Sequence, residues 1–267
     1  MKVGEREEAM SEEYSKFITA IKSKTGIDLS LYKEAQMKRR LISLRNKRGY
    51  NDFEEYFNVL ARDQDVMEEF LDRMTINVSE FFRNPARWEV FEKKVVPQLL
   101  QTKRSIKVWS AACSTGEEPY TLAILLSKYL PLNRVEILAT DLDENALIRA
   151  RKGVYPERAL KEVPATVLQK HFKLENGLYK IDDSIKQAVH FKKHNLLSDS
   201  YDKNFDLIVC RNVLIYFTED AKRMIYQKIR SSLCVQGFFF VGSTEQIFSP
   251  KQYGLHTFDS FFYQRLS

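Results

Sequence analysis

Apolar residues recur every three or four positions through the first 84 residues of the chain, which is the pattern of amphipathic helices. Four segments show it: SKFITAIKSKTGI, KEAQMKRRLISLRNKR, DFEEYFNVLARD and VMEEFLDRMTI. Gly26, Gly49 and the stretch RDQD separate them. The pattern predicts an all-helical N-terminal domain over residues 1–84. The segment NPARWEVFEKKVVPQLLQTKRS predicts one further helix, over residues 85–105, that connects this domain to the rest of the chain.

From Ile106 onward, short apolar runs alternate with amphipathic stretches. The runs are IKVWSAA, VEILATDLD, AVHFKKHNLL, FDLIVCRNVLIYF, GFFFVGSTE and DSFFYQRL. Strands that alternate with helices pair in parallel through right-handed crossovers, so residues 106–267 are predicted to form an α/β domain with a doubly wound, mostly parallel sheet. Asn176 and Gly177 stand between two possible strands and predict a hairpin, and hence an inserted β-subdomain at about residues 172–192.

The composition is that of a soluble globular protein, with 44% hydrophobic residues among 267. No apolar run approaches the roughly 18 residues of a membrane span, and the N-terminus lacks the order of a secretion signal. We therefore expect a cytoplasmic protein that does not insert into a membrane. Three cysteines without a CxxC pair, and four histidines with only a weak His190/His194 spacing, predict neither a disulfide framework nor a bound metal.

A cluster of positive charge stands out between Lys33 and Arg48, where seven residues are basic and only Glu34 is acidic. On a helix, Met37, Leu41 and Leu44 would share one side. The opposite side would carry basic residues: Lys33, Arg39, Arg40 and Lys47. Two interpretations stay open, an ordinary solvated face and a docking surface for an acidic partner. The net charge of +6 favours an anionic partner without saying which kind.

The first candidate site is the loop that follows the first predicted strand. Ligands of open parallel sheets bind beyond the carboxyl ends of the strands. The loop ACSTGEEPY holds one glycine, Gly116, so the dinucleotide pattern G-x-G-x-x-G is absent. Ser114 and Glu117 have capping-box spacing, and helix capping alone would explain much of this loop. The adjacent carboxylates of Glu117 and Glu118 would repel phosphate and suit a cationic ligand.

Polar residues also follow the other predicted strands. Asp141 ends the second run, where an acid can accept hydrogen bonds from ribose hydroxyls or simply begin the next helix. Asn195 and Leu196 end the third run and suit an adenine edge and face. The fourth run ends in Arg211, Asn212 and Tyr216. Together the residues at these strand ends suit a ligand that contains a nucleoside and a positive centre but no phosphate, such as S-adenosylmethionine.

Six motifs resemble, in order over nearly the whole chain, those of the CheR-type chemotaxis receptor methyltransferases: TINVSEFFRNP, VWSAACSTGEEPY, LATDLDENAL, VHFKKHNLL, FDLIVCRNVLIYF and GFFFVGSTE. The resemblance implies a small helical domain followed by a Rossmann-like methyltransferase domain with an inserted β-subdomain. It also implies methyl transfer from S-adenosylmethionine to glutamates on the acidic cytoplasmic helices of chemoreceptors, with S-adenosylhomocysteine as product.

The resemblance further assigns residues to roles. The implied cofactor-binding set is Asn77, Ser79, Arg83, Glu118, Asp141, Asn195, Leu196, Arg211 and Asn212. The implied catalytic set, near the transferring methyl and the incoming carboxylate, is Arg83, Arg211 and Tyr216. Within the first set, Glu118 would meet the methionyl ammonium, with Glu117 as the helix cap. Asp141 would accept from the ribose hydroxyls.

One departure from the family concerns partners. Some members bind a receptor's C-terminal pentapeptide through a longer, glycine-containing loop of the β-subdomain, but here the link is only KLENGLYK with the single Gly177. We therefore expect direct docking on receptor helices through Lys33, Arg39, Arg40 and Lys47, by a monomer and without a tether.

Three rival interpretations deserve comparison. A nucleic-acid methyltransferase is permitted by the charge, but CRNVLIYF lacks the prolines of the motif usual for base-amino methylation. A non-catalytic adaptor would keep the fold without turnover, which the presence of Glu118, Asp141 and Arg211 disfavours. An NAD dehydrogenase is disfavoured by the missing glycines.

Overall fold

The computed structural model describes residues 3–75 and 79–267, with side chains from Met10 onward. The chain forms two compact units. One consists of Met1–Ile76 and Tyr216–Met224, and the other of Asn77–Ile215 and Ile225–Ser267. The first unit thus ends ahead of the predicted boundary at residue 84. It also includes a later segment, residues 216–224, that the sequence pattern did not predict.

The first unit is helical, as its apolar periodicity predicts. Its helices are α1 (Val3–Thr25), α2 (Glu34–Lys47), α3 (Phe53–Arg62) and α4 (Gln64–Met74). Side-chain caps set two of the boundaries, since Asp52 accepts from the Glu55 N–H at 2.7 Å and Asp63 from the Val66 N–H at 3.1 Å. Buried aromatic rings fill the interior, with the centroids of Phe17 and Phe53 4.6 Å apart.

The segment 216–224 completes this helical unit. Phe217 is buried, and its ring centroid lies 5.0 Å from that of Tyr32. The Thr218 N–H donates to the Leu31 carbonyl at 2.9 Å, and the Lys33 N–H donates to the Tyr216 carbonyl at 2.8 Å. Backbone groups of the turn before α2 therefore find their partners far along the chain.

The second unit contains the remaining helices and all the named strands. A continuous helical stretch runs through α5 (Pro85–Val90), a π-helical turn (Phe91–Val95) and α6 (Val96–Thr102). The later helices are α7 (Glu117–Leu126), α8 (Glu144–Lys152), α9 (Ala165–His171), α10 (Asp183–Gln187) and α11 (Glu219–Ser232), the last of which contains the boundary between the units. Within the described ranges, no helix is both long and apolar enough to cross a membrane.

The described residues contain ten strands, which form two sheets. They are β1 (Ile106–Ala111), β2 (Val135–Asp141), β3 (Val154–Tyr155), β4 (Phe172–Glu175), β5 (Leu178–Ile181), β6 (Val189–Lys193), β7 (Phe205–Cys210), β8 (Leu233–Val241), β9 (His256–Asp259) and β10 (Phe262–Gln264). The larger sheet has the order β6-β2-β1-β7-β8-β10-β9. Its first five members pair in parallel, and the last two pairings are antiparallel. The prediction of a doubly wound, mostly parallel sheet is confirmed.

The strand order reverses at the centre of this sheet. From β1 the chain moves outward to β2 and β6 on one side, and then returns to β7 and β8 on the other. Such a reversal opens a crevice beyond the carboxyl ends of the two central strands, β1 and β7. All six residues of β7 are buried, so the polar residues that follow it emerge from the core.

The smaller sheet has the order β3-β5-β4. Its hairpin turns through Asn176 (φ 51°) and Gly177 (φ 77°), both left-handed, as the sequence predicts for an Asn-Gly turn. This sheet begins at Val154, ahead of the predicted start at residue 172. The strand β6, which begins within the range 172–192, belongs to the larger sheet, as the apolar run AVHFKKHNLL predicts.

Candidate active site

The loop between β1 and α7 has a strained backbone, with Ala112 (φ 60°), Ser114 (φ 48°) and Gly116 (φ 93°) all left-handed. Gly116 is the N-cap of α7, and a Cβ there would lie 2.9 Å from the Ala150 Cβ. Among the described residues no side chain caps α7. The predicted Ser114–Glu117 capping box is therefore wrong, because a left-handed glycine takes the capping position and Glu117 already lies within the helix.

Glu117 holds the loop together from within. It is 4% exposed, and its carboxylate accepts from the Thr115 hydroxyl at 2.9 and 2.7 Å and from the Ser79 hydroxyl. Burial raises the pKa of Glu117, and the hydrogen bonds from Thr115 and Ser79 oppose that rise. Ser79 thus contacts the neighbour of Glu118, whereas Asn77 lies outside the described residues.

Glu118 is a largely buried carboxylate, its side chain 14% exposed, with few hydrogen-bond partners. Its Oε1 accepts from the Ser110 hydroxyl at 2.9 Å, and its Oε2 lies 3.5 Å from Arg211 Nη1. Burial raises the pKa of Glu118, and the nearby Arg211 cation opposes the rise. Because 3.5 Å is long for a charge-assisted hydrogen bond, Oε2 retains capacity to accept from a second cation.

Arg211 leaves β7 as a buried cation, 6% exposed. Its Nη2 donates to the Arg83 carbonyl at 2.8 Å. The guanidinium carbon lies 5.0 Å from the ring centroid of Trp88 and 4.6 Å from that of Phe240, so two aromatic rings contact the charge. Burial lowers the pKa of Arg211, and Glu118 opposes this. The buried Nε has no hydrogen-bond partner within the described residues.

Asp141 ends β2 and joins the loop after β1. Its Oδ2 accepts from the Ser114 N–H at 2.7 Å and its Oδ1 from the Asp143 N–H at 3.0 Å. Burial raises the pKa of Asp141, and these N–H groups oppose the rise. The Asp141 carbonyl accepts from the His194 N–H at 2.9 Å, which brings the ends of β2 and β6 together. Asp143 is the N-cap of α8.

Asn195 and Leu196 form the turn after β6. The Asn195 Oδ1 accepts from the Leu197 N–H at 2.9 Å, so the amide oxygen shapes the turn. Leu196 is buried, and its carbonyl accepts from the Tyr201 hydroxyl at 2.7 Å. The structure thus places these two residues next to Asp141 through the β2–β6 contact.

Asn212 follows Arg211 in a left-handed conformation (φ 62°). Its N–H donates at 2.6 Å to Glu245, a buried acid beyond β8 for which sequence analysis assigned no role. Sequence analysis also missed Ser110 beside Glu118. Glu245 carried a usable signal, since it is an acid close after a buried strand, the same signal that selected Asp141.

Arg83 and Tyr216 complete the predicted catalytic set. The Arg83 carbonyl contacts both Arg211 and the Trp88 indole N–H, the latter at 3.1 Å. Tyr216 belongs to the first unit, where its carbonyl accepts from Lys33. The roles of the Arg83 and Tyr216 side chains in catalysis stay predictions.

The basic helix α2 differs from expectation at one residue. Lys33, Arg39 and Lys47 are exposed, while Met37 and Leu41 are buried. Arg40 instead points to the end of α4, where its guanidinium donates to the carbonyls of Arg73 at 2.8 Å and Thr75 at 2.7 Å. Arg40 is therefore not part of the exposed basic face, because it satisfies carbonyls that the helix end leaves without partners.

Among the described residues at this edge of the sheet, acids outnumber cations. The buried acids are Glu117, Asp141, Asp143 and Glu245, joined by the largely buried Glu118, and the buried cation is Arg211. This balance suits a ligand that brings a cation and hydroxyl donors, and it disfavours a phosphate.

Comparison with known proteins agrees with this chemistry. The family described as "CheR methyltransferase, SAM binding domain" matches residues 77–260, and "CheR methyltransferase, all-alpha domain" matches residues 12–75. The chain belongs to the CheR methyltransferase family. Its cofactor is S-adenosylmethionine, and it is a methyltransferase that depends on this cofactor. The carboxylates of Glu118 and Asp141 are chemically suited to the ammonium and hydroxyl groups of that molecule.

CheR relatives resemble the chain over most of its length. A chemotaxis protein methyltransferase of Listeria innocua serovar 6a is 46% identical over 95% of this chain and 97% of its own. One of Borreliella burgdorferi is 35% identical over 88% of each chain. Among solved structures, the glycopeptide N-methyltransferase MtfA with S-adenosylhomocysteine covers 62% of this chain and 50% of its own, at 15% identity and a TM-score of 0.37. That similarity is too weak to bear on function.

Proposed function

We propose that this CheR protein methylates glutamate side chains on the acidic cytoplasmic helices of chemoreceptors, acting in the cytoplasm for sensory adaptation. The contact between Glu118 and Arg211, at the reversal of strand order between β1 and β7, carries the proposal. It combines a carboxylate for a cationic cofactor with a cation for an anionic substrate. The names of the relatives support the choice of a chemotaxis protein as substrate.

The cofactor supplies an electrophilic methyl group. Glu118 accepts a hydrogen bond from its ammonium, and Asp141 accepts from its ribose hydroxyls. Asn195 and Leu196 contact the adenine, and Ser79 with Asn77 contributes from the segment that precedes α5. The support for these roles is that Asp141 is buried at the end of β2, that Glu118 is largely buried in the first turn of α7, and that their hydrogen-bond partners leave oxygen lone pairs available.

A glutamate nucleophile needs no general base, because a carboxyl with an ordinary pKa of about 4.3 is ionised at neutral pH. Arg211 and Arg83 orient the incoming carboxylate, and Tyr216 fixes it by a hydrogen bond. Positioning then provides most of the rate enhancement. His194, just after β6, is not a base in this scheme: burial lowers its pKa, and its Nε2 lies 3.2 Å from the Ser200 carbonyl.

Docking occurs through the exposed basic face of α2, which consists of Lys33, Arg39 and Lys47. Acidic receptor helices complement this charge. The β4–β5 hairpin turns through only Asn176 and Gly177, which supports docking by a monomer without a C-terminal receptor tether.

The test is transfer of labelled methyl from S-adenosylmethionine to an acidic chemoreceptor cytoplasmic fragment. We expect base-labile label that is released as methanol, the signature of a carboxyl methyl ester. A fragment whose methylation-helix glutamates are changed to glutamine serves as control and should accept no label. Label that is stable to base, or transfer to RNA or DNA instead, would contradict the proposal. Binding of S-adenosylhomocysteine without any transfer would favour an adaptor.

A further inference from the structure

Glu245 is a buried acid, 6% exposed, that neither the cofactor nor the substrate roles above require. Both of its oxygens accept from backbone. Oε2 accepts from the N–H groups of Gly242 at 2.8 Å and Asn212 at 2.6 Å, and Oε1 accepts from the Ile215 N–H at 3.2 Å. Burial of a charged group is costly unless it is hydrogen-bonded, and here the bonds reach two separate loops. The effect of Glu245 must therefore be sought in those loops.

We call residues 211–215, just after β7, the transfer loop. Its second residue, Asn212, has φ 62°, a conformation that non-glycine residues adopt at a cost. Glu245 contacts the loop near its start and at its end, through the N–H groups of Asn212 and Ile215. Gly242 leaves the space for this carboxylate, because a Cβ there would meet Glu245 Oε2 and lie 2.9 Å from the Asn212 nitrogen.

The Arg211 guanidinium contacts Glu118 at 3.5 Å and the Arg83 carbonyl at 2.8 Å. The backbone of Arg211 begins the transfer loop, so a shift of that loop would displace the side chain from these contacts. The residue that follows Arg211 in the chain is the one whose N–H makes the 2.6 Å bond to Glu245. A displacement of about 1 Å in a positioning group can cost roughly 100-fold in rate.

We propose that Glu245 is a positioning residue that fixes the transfer loop, and so sets Arg211 and Asn212 for methyl transfer. This inference rests on the proposed function for the identity of the substrate. Glu245 acts through the loop backbone and touches neither reactant. It therefore affects turnover more than cofactor affinity, which Glu118 and Asp141 dominate.

The test compares Glu245→Gln with Asp206→Asn. Asp206 is also a buried acid, 5% exposed, but it accepts from the Lys107 N–H and Lys103 Nζ, both at 2.9 Å, near the start of β7. In Glu245→Gln an NH2 group replaces one of the two accepting oxygens, so a donor must face a backbone N–H donor. We expect kcat to fall at least about 10-fold and the Kd for S-adenosylhomocysteine to change less than about threefold. Asp206→Asn should lower Tm and leave kcat unchanged.

Gly242→Ala provides a second variant that keeps the charge of Glu245 and displaces its carboxylate. It should lower kcat as Glu245→Gln does. Because both changes act on the same contact, kcat of the double variant should fall no further than kcat of the more impaired single variant. Additive losses, or an unchanged kcat in folded Glu245→Gln, would overturn the proposal.

Amide hydrogen exchange gives a readout that does not depend on the substrate. Exchange in a peptide spanning residues 211–216 should accelerate in Glu245→Gln and in Gly242→Ala, and not in Asp206→Asn. Unchanged exchange in the first two variants would overturn the role of Glu245 even if the wild-type protein methylated no receptor fragment. Lack of wild-type activity on that fragment would instead count against the proposed substrate.

Discussion

Both units of the protein carry exposed ion pairs, but the sheet unit also holds one between two largely buried side chains. In the helical unit, Arg73 and Glu69 are 2.7 Å apart with side chains 46% and 39% exposed. In the sheet unit, the side chains of Arg211 and Glu118 are 2% and 14% exposed. An exposed pair contributes about 0–1 kcal/mol, whereas a buried pair pays a desolvation penalty that often exceeds its attraction. Charges retained at such a cost point to ligand binding rather than to stability.

The largest effect should follow from Glu118→Gln, which removes the buried carboxylate but keeps its shape. S-adenosylhomocysteine binding should weaken about 100-fold, since a hydrogen bond to a charged group contributes roughly 1.5–3 kcal/mol. Isothermal titration calorimetry measures this directly. Glu117→Gln is the matched control, because this neighbouring carboxylate is also shielded from solvent, at 4% exposed, but already accepts from Thr115 and Ser79. Equal losses in both variants would remove the distinction between the two acids.

In the helical unit the largest loss of stability should come from Arg40, whose guanidinium is hydrogen-bonded within the fold. Arg40→Ala removes two hydrogen bonds to the end of α4 and should lower the free energy of unfolding by about 2 kcal/mol. Arg39→Ala, an exposed neighbour, should change it by less than about 0.5 kcal/mol. Urea denaturation followed by circular dichroism checks both. Equal effects would show that the Arg40 contacts contribute nothing to stability.

A smaller effect should appear in the pH dependence of the ligand-free protein. Burial raises the pKa of Glu117 above its value in the unfolded chain, so protonation of this group stabilises the fold. That contribution is complete below the ordinary carboxyl pKa and is lost as the pH rises through the raised value. Glutamine mimics the protonated acid. The stability of wild type relative to Glu117→Gln should therefore fall with rising pH from about 4.5 upward, by about 1.4 kcal/mol per unit of pKa shift.

Thermal denaturation of both proteins between pH 4 and pH 8, without cofactor, measures this difference. A wild type that gains stability relative to Glu117→Gln as the pH rises would mean that folding favours the carboxylate form of Glu117, and would contradict this prediction.

The smallest effect is expected at the exposed basic face. Arg39→Glu combined with Lys47→Glu should raise the KM for a receptor fragment about fivefold, because exposed charge pairs contribute roughly 0.2–1 kcal/mol each. The effect should vanish near 1 M salt, where the Debye length is about 3 Å. Binding of S-adenosylhomocysteine should not change.

The control for this surface reverses two other exposed cations of the helical unit, Lys24→Glu and Arg62→Glu. They lie at the ends of α1 and α3. If this pair raised KM as much, net charge rather than the face of α2 would govern docking.

The sequence predicted what depends on local periodicity. Patterns among neighbouring residues predict the helices of the first unit, the parallel strands and the Asn176–Gly177 turn. The rule that ligands bind beyond the carboxyl ends of parallel strands located Asp141 and Arg211. Sequence patterns failed where contacts join distant parts of the chain. Arg40 bonds to carbonyls more than thirty residues away, and Glu245 bonds back to Asn212 by a similar distance. No local pattern encodes such a contact.

The short antiparallel strand β9 was missed for a related reason. It pairs only with β10 across an irregular register, and its residues lack the long apolar run that identified the other strands. The capping box failed differently: the spacing of Ser114 and Glu117 was correct, but a left-handed Gly116 between them changed which residue begins α7. Backbone conformation of that kind depends on close packing against Ala150, which appears only in three dimensions.

The return of residues 216–224 to the helical unit has a consequence for synthesis. A ribosome makes the N-terminal end first, so α1 to α4 emerge well before Phe217 and Thr218. The Leu31 carbonyl and the Lys33 N–H cannot form their hydrogen bonds until Thr218 and Tyr216, which follow β7 in the chain, have been synthesised. The helical unit, which is translated first, is therefore complete only after most of the central sheet has been synthesised. A fragment that stops at Ile76 would lack the segment 216–224 altogether.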